Sequence, residues 1–259
     1  MFDLQLWGAA LGVLALFAFA GWLLSLPIRN VSIVDSMWSL MFLLAALTYA
    51  VELDSIGPRG WLVVVLVGTW AIRLAAYITW RNHGHGEDFR YQQIRANNQP
   101  GFAFKSLYIV FGLQAALAWV ISLPLLAAVN STAPLGWLDA AGVALWLVGL
   151  VFEAGGDWQL SRFKANPANR GKVLDTGLWR YTRHPNYFGD FMVWWGIFLI
   201  AAESGAGAWG FIGPILMTVL LVKVSGAGLL EKDIAQRRPG YAEYVRRTSG
   251  FFPRPPRSD

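Results

Sequence analysis

Ionisable side chains interrupt the long apolar runs of this sequence, and chemistry is expected at these positions. A charged group inside a membrane span is energetically costly and marks a functional site by default. The interrupting residues are Asp35, Arg73, Tyr77, Glu153, Asp157, Asp190, Lys223 and Glu231. All of them stand towards the same end of their runs, so we expect one polar cavity that opens on one side of a membrane. The alternative is a set of ordinary ion pairs and snorkelling helix ends.

Helical spacing brings several of these residues onto shared faces. Trp70, Arg73 and Tyr77 stand at positions i, i+3 and i+7, and Asp35 and Trp38 stand at i and i+3. Residues with these spacings lie on one face of a helix. Carboxyl and phenol groups are able to donate a proton in catalysis. The spacing therefore supports one polar cavity lined by these residues.

A second polar set lies in the segment from 155 to 196, which is rich in Arg, Lys, Asn and Gly with aromatic residues between them. Arginine binds phosphate bidentately and lysine binds it as a point charge. Asn186 and His184 are suited to hold an amide or a ribose, and Tyr181 is suited to stack on a base. The turn that contains Arg183 opens a helix, where anions are favoured. The segment predicts a nucleotide site, but it has neither a Rossmann nor a Walker glycine pattern.

Long apolar runs must position these groups. The chain of 259 residues is 56% hydrophobic and 14% charged, whereas a soluble domain has about 25% charged residues. Seven runs approach the roughly 20 residues that a membrane-spanning helix needs. The predicted spans are 5–27, 32–52, 60–80, 106–129, 136–156, 187–203 and 208–229. We predict an all-α integral membrane protein with a single domain, 1–259, whose cofactor-binding half is about 150–259.

The cations set the predicted orientation. Of the 21 Lys and Arg residues, only Arg59 falls in a loop on one side of the predicted spans, and Arg73 and Lys223 fall inside spans. The others all fall on the opposite side. The positive-inside rule therefore places the N-terminus outside and the C-terminus in the cytoplasm. The segment 231–256 reads as a short amphipathic helix followed by a Pro-rich end, and its Tyr241, Tyr244, Phe251 and Phe252 are expected at the membrane surface.

Composition also excludes several classes of function. The chain has no Cys, so disulfides, thiolate metal sites and a cysteine nucleophile are excluded. Its three His residues form no His-x-x-x-His pair, and no metal is predicted. Nucleic acid is not expected as a partner, because no soluble basic domain is present. Membrane lipid is the expected partner, and no obligate protein partner is evident.

Six motifs carry a family resemblance. GLWRYTRHPNYFGD at 177–190, LLEKD at 229–233 and YAEYVRRTSGFFP at 241–253 resemble the steroid 5α-reductase family. Its bacterial branch also shows the patterns NVSIVDSMWS, WAIRLAAY and GEDFRYQQIR, which begin here at residues 30, 70 and 86. The resemblance runs from about residue 30 to residue 255. The RHPNY core is also similar in isoprenylcysteine carboxyl methyltransferases and in sterol C14 reductases.

The resemblance implies a seven-helix fold in the bacterial inner membrane, with NADPH as cofactor on the cytoplasmic side. It implies reduction of a carbon–carbon double bond conjugated to a ketone, as in a 3-oxo-Δ4 steroid or another lipid enone. Matched by motif, the nicotinamide and ribose contacts are Asn186, Asp190 and Trp194. The contacts around the phosphates and adenosine are Glu153, Asp157, Lys164 and Lys172, and the remaining expected cofactor neighbours are Tyr181, Arg183, His184 and Glu231.

At the substrate end the sequence departs from the family pattern. The eukaryotic enzymes have a Glu on the second helix and a Tyr on the third, and these positions become Asp35 and Trp70 here. An indole N–H donates a hydrogen bond but is not a useful acid. Either Asp35 or Tyr77 therefore supplies the acid, or Trp70 only donates a hydrogen bond. Trp38 and Arg73 are expected to bind the substrate.

The implied reaction adds hydride to the β-carbon of the enone, and a donor stabilises the charge that develops on the ketone oxygen. Asp35 would have to be protonated for this, and an apolar setting favours the neutral form of a carboxyl group. One alternative is an S-adenosylmethionine-dependent methyltransferase of lipids or isoprenylcysteine, because of the shared RHPNY core. A third reading is a lipid-binding membrane protein without enzymatic activity.

Overall fold

A computed structural model of the chain describes residues 2–205, 207–224 and 240–257, and every regular element in these ranges is helical. Glu231, one of the predicted cofactor neighbours, lies outside them. The α-helices are α1 Leu4–Ile28, α2 Ile33–Val51, α3 Pro58–Asn82, α4 Phe89–Asn97, α5 Phe102–Ile121, α6 Leu123–Val129, α7 Trp137–Ala165, α8 Pro185–Ala202, α9 Ile212–Val219 and α10 Tyr241–Arg247.

Five of these helices are long and apolar enough to cross a membrane: α1, α2, α3, α5 and α7. The predicted all-α membrane architecture is confirmed at this level. The last two predicted spans correspond to α8, which has only 18 residues, and to a shorter apolar helix, Trp209–Lys223. The first two turns of α8 contain the polar residues Asn186 and Asp190, which lowers its apolar character.

Apolar side chains point outward along the spanning helices. On α3, Trp61, Val65 and Ile72 are each more than half exposed, and on α7 so are Leu147 and Val151. The α3 residues are four and seven positions apart, so they share one helix face. A continuous exposed apolar face is what lipid contact requires. The described helices therefore have the character of a multi-pass membrane protein.

The fourth predicted span, 106–129, differs from the structure. Helix α5 begins earlier, at Phe102, contains a π-helical segment at Leu107–Gly112, and ends at Ile121. The separate helix α6 follows, and all seven of its residues are buried. Pro124 in its first turn has no N–H to continue the hydrogen-bonding pattern of α5. The apolar run is continuous in sequence, but the helix is not.

The helices cluster into two compact units, residues 1–136 with 200–213 and residues 137–199 with 214–259. The first unit contains α1 to α6. The second contains α7, most of α8 and α9, and α10. Most of the predicted cofactor-binding half falls in the second unit, and the single-domain assignment stays a prediction.

In the first unit, α1 is joined to α2 by a tight turn and to α5 by a pair of tryptophans. Arg29 ends α1 in the left-handed conformation, with a φ of 50°. Asn30 Oδ1 then accepts a hydrogen bond from the backbone N–H of Ser32 at 2.9 Å. The rings of Trp7 and Trp119 stack with centroids 3.6 Å apart, and each indole N–H donates to the other residue's carbonyl oxygen. These contacts fix the start of α2, where Asp35 lies.

In the second unit, glycines let α7 and α8 approach closely. Gly142, Gly149 and Gly156 stand seven residues apart on α7, and Gly189 and Gly196 stand seven apart on α8. A Cβ atom on Gly149 would lie 2.6 Å from the carbonyl oxygen of Gly189, and one on Gly196 would lie 2.6 Å from that of Gly142. Small residues at such an interface allow backbone-to-backbone packing in membranes. We call these five residues the glycine ladder.

Candidate functional site

The glycine ladder brings the polar residues of α7 beside those of α8. Glu153 and Asp157 lie on the buried face of α7, 3% and 5% exposed, and Asp190 on α8 is 8% exposed. The backbone of Glu153 is the nearest neighbour of Gly189, and Pro185 and Asn186 are the nearest neighbours of Gly156. The close packing of these two helices buries three carboxyl groups, and it brings one of them, Asp157, to the amide of Asn186.

The amide of Asn186 is fixed at both ends. Its Nδ2 donates to Asp157 Oδ1 at 3.3 Å, and its Oδ1 accepts from the backbone N–H of Tyr187 at 3.1 Å. A primary amide nitrogen has two hydrogens, so one N–H of Asn186 remains to donate to a ligand. The pair presents a carboxylate acceptor and an N–H donor side by side. We call Asp157 and Asn186 the acid–amide pair.

Aromatic groups accompany this pair. Trp194 is fully buried and His184 is 5% exposed. The His184 imidazole stacks on the Tyr187 ring, with centroids 5.6 Å apart and planes 12° apart. The buried faces of these rings make the start of α8 rigid, as a binding site for a flat heterocycle requires.

The residues predicted to lie around the phosphates and the adenosine differ in exposure and in their contacts. Lys164 and Lys172 are exposed, and Tyr181 is 44% exposed. The guanidinium of Arg183 instead donates to the carbonyl oxygens of Val245 and Thr248, at 3.2 and 2.8 Å. Arg183 therefore braces the tail, residues 240–257, in addition to lying beside the predicted site.

The tail packs on the segment before α8. Thr182 Oγ1 donates to the carbonyl oxygen of Phe251 at 2.8 Å, and the backbone N–H of Arg183 donates to that of Ser249 at 2.9 Å. The Tyr244 hydroxyl donates to the carbonyl oxygen of Trp179 at 2.5 Å. Tyr241 and Tyr244 are 6% and 3% exposed. These tyrosines therefore fill contacts inside the second unit, and the location of this segment at the membrane surface stays a prediction.

In the first unit, Asp35 joins a network with α4. Its Oδ2 accepts from Arg90 Nη2 at 2.7 Å, and its Oδ1 accepts from the Tyr91 hydroxyl at 2.5 Å. Gln114 Nε2 on α5 donates to the same hydroxyl at 3.1 Å. Asp88 accepts from Arg90 Nε at 2.9 Å. Both carboxylate oxygens of Asp35 are therefore acceptors in this structure.

Charge and burial set the protonation of this network. Burial raises the pKa of the Tyr91 phenol, and the neighbouring Asp35 carboxylate raises it further. Burial lowers the pKa of Arg90, but the charge of Asp35 and the contacts with Asp88 outweigh it, so that pKa is raised. Burial raises the pKa of Asp88, but Arg90 outweighs it, so that pKa is lowered. Tyr91 thus stays a neutral hydrogen-bond donor.

A second ion pair holds α4 to the turn between α1 and α2. Arg95 donates to both oxygens of Glu87, at 2.7 and 2.8 Å, and Glu87 Oε1 also accepts from the backbone N–H of Val31 at 2.9 Å. The backbone N–H of Asp88 donates to Ser32 Oγ at 3.3 Å. Burial raises the pKa of Glu87, but the bonds from Arg95 and Val31 outweigh it and lower the pKa overall.

The other predicted substrate-side residues lie on α2 and α3. Trp38 meets Phe42 edge-on with centroids 5.0 Å apart, and Phe42 lies 5.8 Å from the Trp70 ring. Trp70 is fully buried. The guanidinium of Arg81 lies 5.8 Å from the ring centroid of Tyr77. Arg73 is half-buried on the same helix.

Sequence reasoning did not find Tyr91 as the phenol beside Asp35. Among the described residues the hydroxyl bound to that carboxylate belongs to Tyr91, whereas the sequence suggested Tyr77. The motif GEDFRYQQIR supplied the signal, because its Asp, Arg and Tyr stand together. Their pairing with a helix more than fifty residues earlier is a tertiary contact that spacing does not reveal. Among the described residues, no group of three His, Asp or Glu is placed to hold a metal ion.

Comparisons with known proteins extend these observations. An uncharacterised protein of Schizosaccharomyces pombe, C594.04c, is 24% identical over 261 aligned residues, which cover 90% of this chain and 75% of that protein. No solved structure matches the chain. A family model described as a protein of unknown function, DUF1295, matches residues 21–248. That match covers most of the sequence, and the chain therefore belongs to the DUF1295 family.

Proposed function

We propose that this protein is an NADPH-dependent oxidoreductase that reduces a carbon–carbon double bond next to a ketone in a lipid-like molecule, such as a 3-oxo-Δ4 steroid. The observation that carries the proposal is the acid–amide pair at the glycine ladder, in which Asp157 is buried and Asn186 half-buried. The motifs around the pair resemble those of the steroid 5α-reductase family, and this resemblance indicates that the pair binds the cofactor.

The donor set of this pair fits a nicotinamide. A primary carboxamide presents one carbonyl acceptor and two N–H donors. Asn186 has an N–H for the carbonyl, and the Asp157 carboxylate can accept from the amide nitrogen. Asp190 and Glu153 supply further buried acceptors, which suit ribose hydroxyls. A purely lipid-binding protein has no use for three buried carboxyl groups on two neighbouring helices, because each is costly to desolvate.

Cations near the same segment suit the phosphates of the cofactor. Lys164 at the end of α7 and Lys172 in the following loop are exposed and able to reach an anion. Tyr181 is partly exposed and offers a ring for stacking. The cofactor, when bound, supplies a hydride for the β-carbon of the enone, and a proton from water then completes the α-carbon. The residues of the second unit bind and orient it.

In the first unit, Asp35 and Tyr91 are proposed to act at the ketone group of the substrate. The Tyr91 hydroxyl donates its one hydrogen to Asp35 Oδ1 at 2.5 Å. Negative charge develops on the ketone oxygen as the double bond is reduced, and we propose that the Tyr91 hydroxyl then turns its hydrogen from Asp35 to that oxygen and stabilises it. Asp35 positions that phenol, and Arg90 holds Asp35. Trp38, Trp70, Arg73 and Tyr77 are proposed to line the path of the apolar substrate, which enters from the bilayer.

The proposed topology has seven spans, with the N-terminus outside and the C-terminus in the cytoplasm of a bacterial inner membrane. It is supported by the five long apolar helices and by the one-sided distribution of Lys and Arg. In this topology the basic loop after α7 and the tail lie on the cytoplasmic side, where NADPH is available.

The first test is ligand binding to the detergent-purified protein, measured as a shift in melting temperature with NADPH, NADH or S-adenosylmethionine. We expect NADPH to give the largest shift, because a ligand that binds only the folded state stabilises it. A shift with S-adenosylmethionine alone would reject the reductase and favour the methyltransferase. No shift with any of the three would favour a lipid-binding protein.

A matched pair of variants makes the test specific to the site. Asp157→Asn removes the charge from the acid–amide pair, and Asp54→Asn makes the same change at an exposed residue. We expect Asp157→Asn to weaken NADPH binding about tenfold or more, since a hydrogen bond to a charged group contributes about 1.5–3 kcal/mol. Asp54→Asn should bind like the original chain. Enone-dependent loss of the reduced nicotinamide absorbance then identifies the reaction.

A further inference from the structure

We propose that an arginine-lined cavity in the second unit is a binding site for a phosphate-bearing anion. The cavity has a volume of about 240 Å³ and lies between α10 and the chain that follows it. Five arginines and a serine line it: Arg183, Arg246, Arg247, Arg254, Arg257 and Ser249. None of the predicted site residues other than Arg183 belongs to it, and the reductase proposal does not require it.

The backbone around this arginine cavity is held in place before any ligand arrives. After α10 the chain folds back, and the backbone N–H of Arg257 donates to the carbonyl oxygen of Arg247 at 3.0 Å. The backbone N–H of Arg254 donates to the carbonyl oxygen of Tyr181 at 3.0 Å. Arg183 is fixed by two carbonyl oxygens. A preformed cradle loses less entropy on binding than a flexible one.

Gly250 gives the Arg183 side chain its position. A Cβ atom at Gly250 would lie 3.2 Å from Arg183 Nη2, which is a tight contact. The absence of a side chain therefore lets the guanidinium lie directly against the tail backbone. Arg183 Nη2 thus lies against Gly250 at the cavity wall, while Nη1 donates to the two carbonyl oxygens of the tail.

The charges around the cavity are not balanced within the described part of the chain. Glu243 pairs with Arg246 and lies 3.3 Å from Arg247 Nε, and Asp175 lies 3.6 Å from Arg247. No ion pair with a described acidic residue is formed by Arg254 or Arg257. Guanidinium groups that converge without acidic partners repel one another. An anion in the cavity relieves this repulsion.

The geometry points to phosphate in particular. Guanidinium forks bind the oxygens of phosphate in pairs, and a tetrahedral dianion accepts from several forks at once. The cavity is smaller than the 300–1,000 Å³ typical of sites for drug-sized ligands. It therefore has room for one phosphate group rather than for a whole dinucleotide. The phosphate belongs either to a nucleotide such as NADPH, whose ribose carries an extra phosphate, or to an anionic lipid headgroup.

The test uses inorganic phosphate as the probe, the full detergent-purified chain, and calorimetry to measure affinity. The double variant Arg254→Gln/Arg257→Gln removes the two arginines that form no ion pair with a described acidic residue. We expect it to bind phosphate about tenfold or more weakly, from the strength of charged hydrogen bonds. Arg81→Gln, the same change at an exposed residue of the first unit, should bind like the original chain. Equal affinity in the double variant, or no binding by the original chain, would overturn the proposal.

Two further arms identify the source of the phosphate. If it belongs to the cofactor, the double variant loses the preference for NADPH over NADH and retains its affinity for NADH. If it belongs to lipid, short-chain dihexanoyl phosphatidic acid stabilises the original chain and not the double variant. The double variant Arg254→Lys/Arg257→Lys keeps the charge but not the guanidinium fork, so its affinity for phosphate is expected to lie between those of the original chain and the glutamine variant. Unchanged melting temperatures without ligand show that the variants are folded.

Discussion

Asp35 shows what could be predicted about a single residue from the sequence and what could not. A carboxyl group inside an apolar run is a functional candidate, and the structure shows it in a network with Arg90 and Tyr91. The sequence could not show those partners, because α4 is a short polar helix without an apolar pattern. The candidate site residues of the second unit were easier to predict. The sequence marked Asp157 as an ionisable residue in an apolar run and Asn186 as suited to hold an amide or a ribose, and the structure joins them.

Replacing Tyr91 with Phe tests the proposed role of its hydroxyl group. The variant removes the donor to Asp35 and leaves the ring. We expect the rate of enone reduction to fall about 10²-fold or more, the usual cost of losing one donor to a developing oxyanion. NADPH affinity should be unchanged, because Tyr91 is proposed to contact the ketone of the substrate and not the cofactor. The measurements are steady-state kinetics and NADPH titration.

Tyr108→Phe is the matched control for this change, since its side chain is 54% exposed on α5. It should be as active as the original chain. A Tyr91→Phe protein that reduces the enone at the original rate would exclude the hydroxyl from the chemistry. A parallel loss of NADPH binding would instead indicate that the substitution damages the fold.

At the scale of elements, α4 is held by charge rather than by apolar burial. Tyr91 is the only buried residue of α4, and the Glu87–Arg95 pair fixes the segment to the α1–α2 turn. The pKa of Glu87 is lowered in the folded chain from its ordinary 4.5. Its contribution to stability is therefore complete above pH 4.5 and is lost as the pH falls through the folded value.

Glu87→Gln tests this contribution. Melting temperature measured between about pH 3 and pH 6 should fall less steeply with acid in the variant than in the original chain, because one titrating carboxylate is gone. Glu52→Gln, a change at an exposed residue after α2, should leave the profile unchanged. Identical profiles for Glu87→Gln and the original chain would mean that this pair does not stabilise the fold.

The pairing of α7 with α8 depends on their glycines, and Gly149→Ala tests it. The new Cβ would meet backbone atoms of α8 at 2.6 and 2.7 Å, so the helices must separate. Overpacking of this kind costs about 1–3 kcal/mol, and we expect a lower melting temperature together with weaker NADPH binding. Gly12→Ala in α1 has open space around it and should be neutral or slightly stabilising. A fully stable Gly149→Ala protein would show that the helices pack less tightly.

At the scale of the whole molecule, length and apolar character made most helices predictable. The first three and the fifth predicted spans match α1, α2, α3 and α7 at most of their positions, because long apolar runs have few alternatives in lipid. The break at Ser122, the helix α4 and the docking of the tail were not predictable. Each depends on contacts between distant parts of the chain, which a local pattern does not encode.

The proposed orientation can be tested cleanly because the chain contains no Cys. Asp54→Cys places one thiol in a predicted outer loop, and Asn97→Cys places one in a predicted inner loop; both residues are exposed. A membrane-impermeant maleimide added to intact, right-side-out vesicles should label the first and not the second. Inverted vesicles should give the reverse pattern. Labelling of both on the same side would reject the proposed topology.

The glycine ladder also limits which substitutions the sequence can accept during evolution. Every single-base change in a glycine codon that alters the residue adds at least a Cβ atom. At Gly149 and Gly196 that atom would meet backbone atoms of the other helix, which no compensating change to a smaller side chain can remove. While the two helices keep their spacing, no other amino acid is tolerated at these two positions. We therefore expect both glycines to persist in distant relatives even where most other positions have changed.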